Sequence, residues 1–181
     1  MNFFDQYKIL EWSKKFIYYI ILKYYNIYGG SMEYIVKQAS IENIEEIAKI
    51  FNEYRIFYKQ DSNISGAKDF LLDRFEHFES IIFIAIEEKS NEIVGFSQLY
   101  PSFSSVSMKR SYILNDLYVK ENCRKNGIGK LLLDKAKSYA IMTNAKGIGL
   151  STAIDNEIAQ NLYEKNGYKK NEEYYQYYMN I

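Results

Sequence analysis

The 181-residue chain has one proline (Pro101), one cysteine (Cys123), one histidine (His77) and no net formal charge. Each scarcity removes a class of function. A lone cysteine closes no internal disulfide and builds no metal site, so no metal is expected and a reducing cytoplasm is the natural setting. With Lys+Arg and Asp+Glu balanced at 23 each, general attraction to nucleic acid or to an anionic membrane is missing, and neither is expected as a partner. His77 falls on a surface helix, where a solvated side chain is the ordinary outcome. No internal repeat or low-complexity linker divides the chain.

What is present fits one domain. Apolar residues make up 48%, enough for a core at this length. The skew toward Ile, Asn, Lys and Tyr reads as a genome-wide bias, so the 19 tyrosines are not in themselves a functional signal. At the N-terminal end Lys14-Lys15 precedes an apolar run from Phe16 to Tyr28, broken by Lys23 and Asn26. A span needs about 20 apolar residues, which this run does not supply. Asp5 and Glu11 spoil the positive region of a signal peptide, and no small-residue cleavage site follows. Gly29-Gly30-Ser31 reads as a hinge. Residues 1–31 are therefore expected to be a dispensable extension, with a helix lying on a membrane or partner as the sharper alternative.

From Met32 strands and helices alternate. Glu33–Gln38 reads as a strand with Tyr34 and Val36 on one side. Ser40 caps a helix whose inner stripe is Ile44, Ile47, Ala48 and Phe51. A second helix is predicted over Ala67–Phe78, with Leu71, Phe75 and Phe78 inward. Ile81–Ile86 and Ile93–Tyr100 form a hairpin about Ser90-Asn91, and Pro101–Lys109 is a serine-rich loop. Tyr112–Val119 is a strand, Lys130–Met142 a helix with Leu132, Ala136 and Ala140 in line, and Ile148–Thr152 a strand. Glu157–Lys165 is a helix and Tyr174–Met179 a last strand. The class is mixed α/β.

The most informative stretch is Leu114-Asn-Asp-Leu-Tyr-Val119, followed by Arg124-Lys-Asn-Gly-Ile-Gly129 and an amphipathic helix. Glycine lets the backbone approach a ligand and adopt positive φ. The unpaired amides of the helix N-terminus then attract anions, phosphate above all. Arg124, Lys125 and Lys130 add charge at the same point. On these residues alone, a diphosphate cradle and an ordinary strand-to-helix turn both stand.

This loop resembles the signature of the GNAT family of N-acetyltransferases, whose pyrophosphate loop reads Arg/Gln-x-x-Gly-x-Gly/Ala; Arg124, Gly127 and Gly129 fit it. Asn156-x-x-Ala159-x-x-Leu162-Tyr163-Glu-Lys-x-Gly167-Tyr168 is similar to the family's second motif. The likeness covers Met32 to Ile181. It implies an α/β (α+β) fold, with a mixed and mostly antiparallel central sheet of six to seven strands flanked by about four helices. It also implies acetyl-CoA as cosubstrate, held by Leu117, Tyr118, Val119, Arg124, Lys125, Asn126, Gly127, Ile128, Gly129, Lys130, Asn156 and Tyr163. Dimerisation is common in that family, which puts a homodimer among the implied partners. Within it, Tyr54-Arg55-x-Phe57-Tyr58, Val94-Gly95-Phe96 and the Asp116–Val119 strand end look like small-amine and polyamine acetyltransferases. Asn115 stands where diamine enzymes often carry an acidic residue.

The implied reaction is acetyl transfer to a primary amine by direct attack in a ternary complex. An alkylamine titrates near 10 and must lose a proton before it attacks. Asp116, on the strand leading to the loop, is the candidate base, with a structural carboxylate as the alternative. Tyr163 occupies the position of the family's general acid for the leaving thiolate. A main-chain amide near Leu117–Val119 would face the oxyanion, and Asn156 would bond the pantetheine arm or its own helix end. Cys123 reads as a tolerated free thiol. The tyrosines at 174, 175, 177 and 178 line an acceptor pocket or form an edge strand. A protein lysine, N-terminal or aminoacyl-tRNA acetyltransferase and a non-catalytic CoA-binding domain are the other readings. The acceptor itself is a small amine or polyamine on the charge balance.

Since both motifs and a full strand–helix series lie beyond residue 31, a chain starting at Met32 is expected to stay soluble and active. Soluble yield and turnover measure this, and loss of either would show that residues 16–28 are needed by the domain.

Overall fold

The computed structural model describes residues 33–175 and 177–181, and the extension at 1–31 lies outside them. Five strands are described: β1 (Tyr34–Gln38), β2 (Ile81–Glu87), β3 (Glu92–Ser104), β4 (Lys109–Val119) and β5 (Ile148–Leu150). They form one sheet in chain order, antiparallel from β1 to β4, with β5 parallel to β4. Four helices accompany them: α1 (Ile44–Phe57), α2 (Ile64–Glu76), α3 (Ile128–Met142) and α4 (Glu157–Lys165).

The two faces of the sheet carry separate cores. On one, Ile47, Ala48, Ile50 and Phe51 of α1 and Ala67 and Leu71 of α2 pack on Ile82, Ile84, Ile93 and Phe96. This is the stripe that the i, i+3, i+4 spacing specifies. On the other, Leu132, Leu133, Ala136 and Ala140 of α3 cover Phe83, Ala85, Val94, Leu99, Tyr112 and Leu114. The order of strands and helices therefore follows the hydrophobic periods closely.

Five expectations change. The sheet has five strands among the described residues, not six to seven. Among the described residues of 174–179 there is no strand; the tyrosines are 73–92% exposed, and no strand of the sheet pairs with their backbone, so alternation alone did not make a ladder. The second helix begins at Ile64 and ends at Glu76, three residues ahead of expectation at its start. Asn63 caps it by accepting from the Gly66 amide at 2.8 Å. Phe78 then lies past the helix end at φ 54, 88% exposed rather than inward.

The serine-rich loop is a hairpin arm. β3 runs on to Ser104 and β4 starts at Lys109. Proline is tolerated in this strand for a geometric reason. Pro101 lies opposite Tyr112, whose amide turns the other way to donate to Gly147 O at 3.0 Å. On its second side β3 has lost its neighbour, since β2 begins at Ile81 opposite Leu99. The missing N–H thus breaks no ladder bond.

Asn52 of α1 is 4% exposed and pins the α1–α2 connection. Its Nδ2 donates to Ser62 Oγ at 3.0 Å and its Oδ1 accepts from the Asn63 amide at 2.7 Å. Asn52→Leu strands that amide, and the expected loss is about 1–3 kcal/mol. Denaturant titration checks it; a midpoint equal to that of the parent would show the pin to be unnecessary.

Candidate active site

The site grows from an irregularity in β4. Gln98 lies opposite Asp116 and Leu99 opposite Leu114, so Asn115 has no residue across from it. This is a β-bulge, and a one-residue slip exchanges the faces of all that follows. Before it, Tyr112 and Leu114 point into the α3 core; after it, Leu117 and Val119 do. Asp116 and Tyr118 are thereby sent to the α1 face. The main chain records the same switch. Tyr112 donates its amide toward β5, to Gly147 O, and Lys120 donates toward β3, to Val94 O at 2.9 Å. Without the bulge these two even-numbered residues would turn to the same side.

β5 pairs only with Tyr112, Ile113 and Leu114. From Asn115 to Val119 the outer edge of β4 has no strand beside it among the described residues. Counting alternation back from Lys120, the amides and carbonyls of Leu117 and Val119 face that open edge, and those of Asp116 and Tyr118 face β3. The stretch expected to supply an oxyanion amide is hence open at Leu117 and Val119. Tyr118 offers its ring to the other face, with centroids 6.0 Å from Tyr54 and 6.3 Å from Phe57.

The glycine loop leads into α3. Lys125 (φ 67) and Gly127 (φ 78) both sit in the left-handed region, and Gly127 is the N-cap of the 15-residue helix. The first intrahelical partner of Gly127 O is the Leu131 amide, which leaves the amides of Ile128, Gly129 and Lys130 unpaired within the helix and available to an anion. A Cβ on Gly127 would meet nothing within 4 Å, so the space above the loop is open. A Cβ on Gly129 would come within 3.1 Å of Leu162 Cδ2; glycine there lets α4 close onto α3. Ile128 is 1% exposed and anchors the helix start in the core. The residues present fit a diphosphate.

The surrounding side chains are more committed than their charges suggest. Arg124 donates from Nε to Val119 O at 3.0 Å, and its guanidinium lies 5.3 Å from the Phe57 ring and 5.8 Å from that of Tyr118. Lys130 pairs with Asp134 at 2.6 Å, and Asn126 reaches the Tyr34 hydroxyl at 3.4 Å. Asn156 caps α4, its Oδ1 accepting from the Ala159 amide at 3.1 Å, which is the helix-end role of the two expected. Cys123 is buried. His77 is exposed at the end of α2, 3.1 Å from Asp73. Among the described residues no group of three or more His, Cys, Asp or Glu could hold a metal ion, and no helix is long and apolar enough to cross a membrane.

Asp116 is only 4% exposed. Burial holds its carboxyl above the usual carboxylate range, while hydrogen bonds from Tyr54 and Asn115 pull it back down; the Asn115 Nδ2 donates to Oδ1 at 3.1 Å. Gln98, across the ladder and fully buried, donates from Nε2 to Ser80 Oγ at 2.8 Å, and its Oε1 lacks a partner. Tyr163 rises from α4, its ring centroid 5.8 Å from that of Tyr168. Burial and the neighbouring Tyr58 push its phenol above the ordinary tyrosine value. Burial and the nearby Asp116, Tyr58 and Tyr163 hold the Tyr54 phenol far above the ordinary tyrosine value. Sequence reasoning gave Tyr54 and Gln98 no role. The signal available was a pair of polar residues, Ser97-Gln98, inside an otherwise apolar strand.

Residues 44–168 match the Acetyltransferase (GNAT) family. The chain is similar to the uncharacterized N-acetyltransferase YhfO of Bacillus subtilis, 47% identical over 81% of this chain and 97% of that one. It is also similar to a probable acetyltransferase of Haemophilus influenzae, 34% identical over 71% of this chain and 86% of the relative. A crystal structure of a probable acetyltransferase superimposes with TM-score 0.78 at 39% identity, covering 81% of this chain and 97% of its own.

Gly127→Val forces a β-branched residue into φ 78, where it is strained. The loop amides then turn away, and stabilisation of the folded protein by acetyl-CoA is expected to vanish in a thermal melt. An undiminished ligand-induced rise in Tm would refute the cradle.

Proposed function

Because the chain belongs to the GNAT family of acetyltransferases and is an acetyl-CoA-dependent acyltransferase, we propose that residues 32–181 acetylate a small primary amine by direct attack in a ternary complex. The observation that carries this reading is the buried Asp116 carboxylate, turned by the β4 bulge to the α1 face beside a stretch of β4 whose outer edge is open. An acid and a base on opposite sides of one open strand edge suit a reaction in which one proton leaves the attacking group and another joins the leaving group.

When bound, acetyl-CoA supplies the thioester carbonyl and the departing thiolate. The amides at the α3 N-terminus hold its diphosphate, and Leu117 and Val119 offer main-chain donors to the acyl arm and to the oxyanion. Asp116 takes a proton from the acceptor ammonium. Its raised carboxyl pKa makes it a stronger base than an exposed aspartate, closer to the operating pH. Tyr163 gives a proton to the sulfur. The rings of Tyr54, Phe57, Tyr58 and Tyr118 pack together on the α1 face to which Asp116 is turned, a lining suited to an alkylammonium ion by charge and cation–π attraction. The zero net charge agrees with a small cationic acceptor better than with tRNA.

Tyr163→Phe keeps the ring and removes the hydroxyl. Affinity for acetyl-CoA is expected to stay within a few-fold, while the single-turnover rate falls by roughly 10²–10⁴. A phenol pKa raised by burial keeps the donor protonated to higher pH, so the alkaline limb set by Tyr163 lies above that of a free tyrosine, near 10. Equal single-turnover rates for mutant and parent between about pH 7 and about pH 10 would make Tyr163 a packing residue.

A further inference from the structure

We propose that Arg124 selects the acceptor: its guanidinium is a fixed positive charge on the aromatic seat, so the amine that is acetylated carries an acidic group remote from its reacting nitrogen. The claim rests on reading the α1 face beside Asp116 as the acceptor's seat. Arg124 opens the glycine loop, yet its side chain reaches back to the end of β4. Its Nε donates to Val119 O at 3.0 Å, and the guanidinium carbon lies 5.3 Å from the Phe57 ring centroid and 5.8 Å from that of Tyr118. Both rings belong to the cluster that Tyr54 and Tyr58 complete, with centroids 6.0 Å apart for Tyr54 and Tyr118 and 5.3 Å apart for Phe57 and Tyr58. One tether and two ring contacts fix where the charge sits.

This charge has no counter-ion. A guanidinium is a planar fork of several N–H donors, and among the described residues only the Nε donor finds an acceptor. Lys120 differs, pairing with Glu92 at 2.5 Å and lying 3.9 Å from Glu53. So does Lys130, which pairs with Asp134 at 2.6 Å. The diphosphate has its own donors at the other end of the loop, the amides of Ile128, Gly129 and Lys130. The Arg124 charge is thus left to the α1 face.

Asp116 and Tyr118 share that face of β4, about 7 Å apart along the strand. The seat therefore has a negative end at Asp116 and a positive end at Arg124, with the Tyr118 ring between them. An acceptor whose ammonium meets Asp116 brings its remote end past Tyr118 to the guanidinium. A carboxylate there takes the open η donors in a charge-assisted fork. A second ammonium meets like charge, on rings that already hold a cation. The arrangement suits an amino acid or similar zwitterion and disfavours a diamine or polyamine.

Chain-matched primary amines separate the cases: δ-aminovalerate, pentylamine and cadaverine end in a carboxylate, a methyl and a second ammonium. At saturating acetyl-CoA, kcat/KM is expected to fall in that order, by about tenfold from first to last. Calorimetric affinities for the protein saturated with CoA are expected to follow the same order. Arg124→Lys keeps the order, Arg124→Met brings the ratio near unity, and Arg124→Glu inverts it. A ratio between acceptors cancels any loss of acetyl-CoA affinity, which is read separately from the Tm rise with that cosubstrate. Should Arg124→Met fail to fold, the parent supplies a second measurement, since high salt is expected to shrink its ratio toward unity.

Cadaverine equal to or better than δ-aminovalerate in the parent overturns the inference, as does a ratio that neither Arg124→Met nor salt moves; the small-amine reading survives both results. Loss of the acetyl-CoA Tm rise in Arg124→Met with the order of acceptors intact gives the charge to the diphosphate and also overturns it. If none of these amines is bound or acetylated, the small-amine reading falls and this inference with it.

Discussion

Asn115 has no residue opposite it in β3, and the rest of the site depends on that unmatched position. Were β4 regular, Asp116 would follow Tyr112 and Leu114 into the apolar core under α3, where a carboxylate has no partner and its ionised form is heavily penalised. With the bulge it turns to the α1 face and accepts from Asn115 Nδ2. The same extra residue turns the main chain of Leu117 and Val119 outward at the point where β5 ends. One insertion therefore serves two ends: it places the proposed base on one face and frees backbone donors at the edge.

Ligand and fold share the start of α3 in a similar way. The Ile128 side chain is core, while its own amide and those of Gly129 and Lys130 have no partner within the helix. Side chain and main chain of one short stretch thus do different work. Arg124, by contrast, is spent on the end of β4 and on two aromatic rings. Charge counted from sequence overstated its freedom. The field for an anion here comes first from oriented amides, which pay little reorganisation because the helix already fixes them.

Much of this was legible in the residues. Helical stripes such as Ile44, Ile47, Ala48 and Phe51 have only one solution that buries them, and the Gly127 and Gly129 spacing pointed to the cradle through its likeness to the family's motif. What was not legible depends on pairing between distant segments. Pro101 reads as a loop until β3 is seen to lack a neighbour on one side and to face an amide turned away on the other. Phe78 reads as core until the helix stops two residues earlier and the chain takes a positive φ. The tyrosines after residue 173 alternate like a strand, but alternation specifies only what each face of a ladder would carry. The bulge was invisible for the same reason: Asn115-Asp116 looks like any polar pair, and register belongs to two strands together.

If Asp116 and Tyr163 are the base and acid proposed above, the sheet also explains why they need not interfere. Asp116 belongs to the α1 face and Tyr163 packs on the α3 core, so through most of the fold a layer of backbone divides them. An amine entering from the α1 side meets the carboxylate first. On the proposed mechanism, a thioester along the open edge would present its sulfur toward α4. The proton removed and the proton delivered would then travel on opposite sides of β4, and the upward-shifted pKa values of Asp116 and Tyr163 would suit a base and an acid that work over the same pH range.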